Sequence, residues 1–309
     1  MKKNQTYFLR LMKLMLFSTI LNTIVFFGFN KCVGQNVVID NKGEGYFFHT
    51  GDYPDDATPV WGDNHWSPNG IAHDEQNWYI AAIHRDDLGK TYNSNYKIWK
   101  IPVSQRLDQY NPDNPIIKKW ELKTSGMGYP FIHYRHVGDL DCYKYDGVNY
   151  LIVPLTYSED FGSGEPIIAF FNAATLSVVN FAYLHGQHDV SWCSISHKND
   201  SLYTSNDSTS RLYKYYIDWD KVRSGNHEAL TRHGFCDLLK TNSSNTLSLQ
   251  NIQGGEFSPS GDFLYISSGI VECDFNWPFP DHHSHATYDD GIHVFETANW
   301  HEVIRSTNH

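Results

Sequence analysis

The chain has 309 residues, with 24 Lys+Arg against 35 Asp+Glu, 19% charged residues, and 20 Tyr, 18 Phe and 9 Trp. A formal charge of −11 argues against a nucleic-acid binder, whose affinity comes from Lys and Arg neutralising phosphate. The aromatic content excludes a disordered chain, and the length allows a core that needs no staples.

The first segment reads as a cleavable leader. Lys2, Lys3, Arg10 and Lys13 precede a mostly apolar run from Leu14 to Phe29, and small residues follow at Val33 and Gly34. That order is the one a secretory signal peptide uses. The run is interrupted by Ser18, Thr19, Asn22 and Thr23. It is therefore short for a membrane span of about 20 apolar residues. The expectation is export to an extracellular or periplasmic site, with residues 1–35 removed and no stable membrane span afterwards. Residues 1–34 hold five basic residues and no acidic one, so the remainder has 19 basic against 35 acidic residues, a charge of −16. Such a chain is soluble and repels anionic partners, while acidic loops suit a hard cation. Cys142, Cys193, Cys236 and Cys273 remain, with no CxxC spacing, and they serve either as buried thiols or as bridges.

Beyond the leader no long amphipathic helix is visible. The lead-in, 36–68, contains strand-like runs at Val37–Asp40 and Gly45–Thr50 and a crowd of aromatic and acidic residues that includes Trp61 and Trp66. Four similar segments then follow, at Asn69–Ile83, His136–Leu155, Val190–Ser205 and Ile252–Ser268. Each has a short strand, a polar turn and a second strand rich in aromatic or branched residues. Gly70, Gly138, Trp192 and Gly254 align at intervals of 68, 54 and 62 residues. Two more strands fit into each interval: Tyr96–Val103 and Pro115–Leu122, Pro166–Ala173 and Leu176–Leu184, Arg211–Trp219 and Gly234–Leu239, then Gly291–Thr297 and His301–Ser306. Four antiparallel strands per repeat make a propeller blade. The fold expected is all-β, a single β-propeller domain over 36–309 with four or five blades, a β-sandwich being the alternative. The glycines at the inner strands are read as places where backbones converge.

The phrases His136–Asp141, Asp189–Ser205 and Ile252–Ser268 resemble secreted propeller repeats of the broad lactonase, strictosidine-synthase-like and NHL kind. The resemblance covers 69–309 and implies a fold shared by hydrolases, lyases and plain binding scaffolds. Lactonase-type members hold calcium in the central tunnel through Glu, Asn and Asp, and this chain does not show that full ligand pattern.

Polar residues at the starts of inner strands face the axial mouth of a propeller. They make His136, His188, Asp139, Asp141 and Glu256 the acid–base candidates, with Asn69, Asp189, Trp192, Gln253 and Trp66 as ligand contacts. Strand alternation puts Asp139 and Asp141 on one face and His136 on the other. His282, His283 and His285, beside Asp281, form a candidate metal cluster in a polar insertion. The cofactor expected is a divalent cation, calcium ahead of a transition metal. No glycine motif for a nucleotide is present. Neither GxSxG nor another nucleophile motif stands out, and Cys193 near His188 reads as a structural thiol. The function expected is hydrolysis or lyase chemistry on a small organic or carbohydrate ligand, the alternative being a non-catalytic glycan- or protein-binding scaffold.

Overall fold

A computed structural model describes residues 66–84, 96–105, 118–121, 131–157, 164–269 and 291–306, all within a unit spanning 45–309. The expected leader, the lead-in up to residue 65 and the histidine cluster lie outside the described residues. Among the described residues, four antiparallel sheets form a four-bladed β-propeller, the lower of the two blade numbers expected. Blade 1 contains β1 (Trp66–His73), β2 (Asn77–His84), β3 (Tyr96–Pro102) and β4 (Lys118–Glu121). Blade 2 contains β5 (Tyr134–Val137), β6 (Asp141–Tyr145), β7 (Val148–Tyr157), β8 (Ile167–Asn172) and β9 (Ser177–Tyr183). Blade 3 contains β10 (Cys193–Ser196), β11 (Ser201–Thr204), β12 (Arg211–Ile217) and β13 (Leu230–Asp237), with the short helix α1 (Trp219–Ser224) before its last strand. Blade 4 contains β14 (Ile252–Phe257), β15 (Phe263–Ser268), β16 (Gly291–Glu296) and β17 (His301–Ser306).

Blade 2 departs from the expected pattern. Its inner strand is split into β5 and β6, both paired with the ten-residue β7. The hairpin between β6 and β7 turns on Asp146-Gly147, whose φ angles of 48° and 77° suit a two-residue loop. Alternation along β7 and β8 then sorts side chains between two neighbours. Leu151, Val153, Leu155, Ile167, Ala169 and Phe171 pack toward blade 1, while Ile152, Ile168 and Phe170 pack toward blade 3. A strand buried on both faces reads as a continuous apolar run, and β7 does so. Each such side chain contributes roughly 1.5–3 kcal/mol by leaving water.

α1 strengthens the contact between blades 2 and 3. Asp218 caps it by accepting from the Lys221 amide at 3.1 Å, and Gly225 ends it at φ 75°. Its buried Trp219 stacks on Tyr145 of blade 2 with ring centroids 4.6 Å apart. A third apolar cluster joins blades 3 and 4 around Trp192, Tyr203, Ile266 and Phe295.

The inner strands meet closely where the aligned glycines predicted convergence. A Cβ on Gly138 would lie 2.2 Å from the Ser191 carbonyl oxygen, and one on Gly255 would lie 2.4 Å from the Trp192 ring. Gly70 and Gly254 face Asp139 in the same way. Gly138→Ala therefore pushes a methyl into backbone that cannot move aside. It should destabilise the protein by about 3 kcal/mol, read as a shift in denaturant midpoint. A midpoint within error of wild type would show that the blades do not converge there.

Candidate functional site at the axial mouth

Two polar clusters occupy the region where the inner strands meet. The first is structural. The Asp139 carboxylate accepts from the Ile71 amide of blade 1 at 2.9 Å and from the Gly255 amide of blade 4. Its own backbone bonds blade 3, the Asp139 amide donating to the Ser191 carbonyl at 2.9 Å and the Cys193 amide to the Asp139 carbonyl at 3.1 Å. Asp141 is buried and accepts from the Ile195 amide at 2.7 Å and from the Ser194 hydroxyl at 3.4 Å. Burial pushes the Asp139 carboxyl up to about 7, against the pull of its backbone donors, with the Asp141 charge adding to the rise. Burial also raises Asp141, and burial with the two aspartates raises Glu256. Water reaching the exposed Glu256 side chain tempers its shift.

The second cluster is a cavity of about 210 Å³ lined by His136, Thr156, Asp189, Val190, Ser191, Asp207 and Gln253. β5 brings His136, β7 brings Thr156 and β14 brings Gln253, while the chain before β10 and after β11 supplies the rest. Thr156 fixes the first of these segments, its hydroxyl donating to the Val190 carbonyl at 2.8 Å and accepting from the Val190 amide at 3.0 Å. The second is tied at both sides: the Asp207 amide donates to Asp189 Oδ1 at 2.7 Å, and the Ile252 amide to the Asp207 carbonyl at 2.9 Å. Asn69 of blade 1 lies 2.8 Å from His136 Nε2, in a hydrogen bond whose direction is set by the ring tautomer. Burial raises the Asp207 carboxyl, and the nearby Asp189 charge raises it further. Asp207 Oδ1 and Ser191 Oγ are buried and have no hydrogen-bond partner among the described residues.

The expected site residues therefore divide. His136, Asp189 and Gln253 line the cavity, with Asn69 behind the imidazole. Asp139, Asp141 and Glu256 are not among its lining residues, and His188 is exposed beside it. The expectation for Trp192 needs correcting. Its ring is wholly buried in the core and its indole N–H donates to Ser205 Oγ at 2.7 Å, so it presents no surface to a ligand. Trp66 opens β1. The break between β5 and β6 also undoes the simple alternation expected over 136–141, since Gly138–Leu140 belong to neither strand.

Sequence reasoning missed Thr156, Ser191 and Asp207. Asp207 lies in the polar stretch Asn206–Ser210, which reads as a solvated turn until pairing brings it under blade 4. A Ser–His–Glu relay was missed too. Ser268 Oγ lies 3.0 Å from His293 Nε2, and His293 Nδ1 lies 2.6 Å from Glu302 Oε1. The three sit on adjacent strands of blade 4, spread through the chain with no motif around them. His293 is fully buried, and none of the three lines the mouth cavity, so the relay satisfies polar groups inside the blade. Cys142, Cys193 and Cys236 are free thiols, and Cys193 is buried with its thiol against the Ile152 carbonyl at 3.3 Å. Cys273 lies outside the described residues. Among the described residues no group of three or more His, Cys, Asp or Glu is arranged to hold a metal ion, and no helix is long and apolar enough to cross a membrane.

No protein-family model matches the chain, and no curated protein sequence does. Similar solved structures include the Dos1 propeller, at 12% identity and a TM-score of 0.38 over 78% of this chain and 48% of that one. The luciferin-regenerating enzyme is 13% identical with a TM-score of 0.41, covering 70% of this chain and 58% of that one. A GH43_1 enzyme from Xanthomonas citri is 9% identical with a TM-score of 0.43, covering 69% of each chain. The chain spans about half the length of the Dos1 structure. These likenesses are of fold and carry no argument about activity.

The raised axial carboxyls of Asp139, Asp141 and Glu256 make stability depend on pH in one direction. A carboxyl raised above its unfolded value stabilises the fold in its protonated form, and that contribution is lost as pH rises through the folded value. The melting temperature should therefore fall as pH climbs from the ordinary carboxylate range through about 7, where Asp139 titrates. Glu256→Gln keeps a polar partner for Ser194 and removes one charge, so its melting temperature should fall less over that range. Equal slopes in thermal melts of the two proteins would contradict the shared axial charge.

Proposed function

We propose that the protein is an exported propeller enzyme that performs acid–base chemistry on a small polar organic or carbohydrate ligand in the mouth cavity. The observation that carries this reading is the meeting of an imidazole and a raised carboxyl in one concave, partly polar space. Two titratable groups in different environments can divide the work of one reaction. With Nε2 engaged by Asn69 from the neighbouring blade, a neutral His136 accepts a proton at Nδ1 in the tautomer whose Nε2–H donates to Asn69. Asp207 is raised toward its protonated form, in which a carboxyl can donate one. Hydrolysis or elimination needs such a pair and no redox cofactor. Asp189 holds the Asp207 segment through its amide and supplies the charge that favours protonation. Asp139 serves by fixing the strand geometry behind the cavity.

The test uses p-nitrophenyl glycosides, p-nitrophenyl esters and lactones as probes of purified full-length protein. Wild type should turn over at least one of these classes. His136→Gln keeps a polar side chain but removes the titratable ring, and should lower that turnover about 10²–10⁴-fold with the melting temperature retained. Wild-type turnover in the variant would remove His136 from catalysis. Binding of a probe without turnover by wild type would favour the scaffold reading instead.

A further inference from the structure

Two carboxylates approach opposite sides of one half-exposed imidazole where blades 2 and 3 adjoin. Glu165 Oε2, from the chain before β8, lies 2.7 Å from His185 Nδ1. Glu228 Oε2, from the chain between α1 and β13, lies 3.2 Å from His185 Nε2. A neutral imidazole has one N–H and can donate to one of these acceptors, whereas the imidazolium donates to both. Both carboxylates rise from anchored backbone. The Glu165 carbonyl accepts from the Tyr134 hydroxyl at 3.2 Å, and the Glu228 carbonyl accepts from Lys221 Nζ at 3.3 Å. The Glu228 amide donates to Asn226 Oδ1 at 2.9 Å. Around the ring, Tyr183 of β9 stacks on it with centroids 5.9 Å apart, and the Arg232 guanidinium of β13 lies against Gly186. His227 turns to Asn180 Oδ1 and the Phe181 carbonyl instead, each 3.1 Å from its Nδ1. Partial burial works against a charged His185, but the bonds to Glu228 and Glu165 outweigh it and hold the imidazole above its ordinary range.

His185 also begins a strap that ends in the mouth cavity. It and Gly186 are the central pair of a turn closed by the Gln187 amide, which donates to the Leu184 carbonyl at 3.0 Å, and Gly186 takes the φ of 81° that such a turn needs at its third position. Buried Gln187 accepts from the Tyr215 hydroxyl at 3.0 Å and donates to the Asp189 carbonyl at 3.3 Å. Val190 is tied to Thr156 in both directions. Asp189, Val190 and Ser191 then line the cavity. We propose that His185 is a proton-operated latch: charged, it ties blades 2 and 3 through Glu165 and Glu228 and fixes the strap 185–190; uncharged, it releases one carboxylate and loosens the cavity wall. A raised imidazole stabilises the strap in its protonated form. That contribution is complete below the unfolded value of about 6.5 and is lost as pH rises through the folded value. At the acid end the latch opens when Glu165 and Glu228 take up protons, near the ordinary glutamate value of about 4.3. This inference rests on the mouth cavity being the ligand site and adds its regulation.

The experiment follows the His185 ring and the Gln187 and Val190 amides of the full-length protein by NMR between about pH 5 and about pH 9, which brackets the ordinary imidazole value. The ring should titrate above that value. Hydrogen-exchange protection at Gln187 and Val190, corrected for the intrinsic rate, should fall about three- to tenfold as pH passes the ring's midpoint, the worth of one partly exposed bond. His185→Gln keeps a donor for one carboxylate and cannot titrate, so its protection should stay flat. Glu228→Gln should move the His185 midpoint down with the fold retained. A ring that titrates at or below the ordinary value, protection that ignores the midpoint, or the same fall in His185→Gln would overturn the latch. For any p-nitrophenyl probe that is turned over, KM should rise through the same midpoint in wild type and not in His185→Gln. Identical pH profiles of turnover in the two proteins would sink the regulation alone and leave the site reading standing. Amides that follow the His185 titration in a protein that neither binds nor turns over any probe would uphold the latch and sink the site reading.

Discussion

Asp139 lies on the chain of blade 2 and takes hydrogen bonds from blades 1, 3 and 4. Its carboxylate takes amides from blades 1 and 4, its backbone pairs with blade 3, and its own chain is the crossing between the two halves of blade 2's inner strand. Charge-assisted bonds to backbone amides are stronger than neutral ones, and a carboxylate can accept from several directions at once. No other type of side chain of that length offers the same reach without leaving a buried donor unpaired. The cost is a carboxylate held away from water near two other acids, which is why its protonation balances near neutrality. The glycines around it follow from the same constraint, because side chains at Gly70 or Gly254 would occupy the space the carboxylate needs.

The mouth cavity inherits its geometry from this crossing. Ser191 accepts the Asp139 amide through its carbonyl, which fixes the segment of chain that lines the cavity. His136 lies two residues before Gly138, whose amide is fixed to the Pro154 carbonyl at 3.0 Å. A central knot thus positions polar groups that come from three different blades around one cavity. Blade 2, buried on both faces, is the slab against which the other parts are arranged.

Much of the scaffold was legible in the chain because it depends on local rules. Strand periodicity, the polar turns between strands and the spacing of Gly70, Gly138 and Gly254 identified the repeat and the convergence of its inner strands. His136, Asp189 and Gln253 could be chosen because inner-strand starts share one end of a propeller. Asp207 and Ser191 could not, since their importance comes from which atoms lack partners after blades 3 and 4 pair. Trp192 misled for the opposite reason. An aromatic at an inner-strand start suggests a ligand platform, yet the adjacent glycine of β14 makes a slot that encloses its ring. The relay of Ser268, His293 and Glu302 was likewise invisible, because it joins three strands at non-local spacing and resembles no motif.

The most direct measurement is residue-resolved hydrogen exchange of the Ile71 and Gly255 amides in the native protein. If Asp139 joins the blades, these two amides should exchange only through opening of the whole fold, with protection matching that of the buried β7 amides. They should also lose protection together when Asp139 is replaced by Ala. Rapid exchange of either amide in the wild-type protein, at the rate of exposed loop residues, would contradict the account.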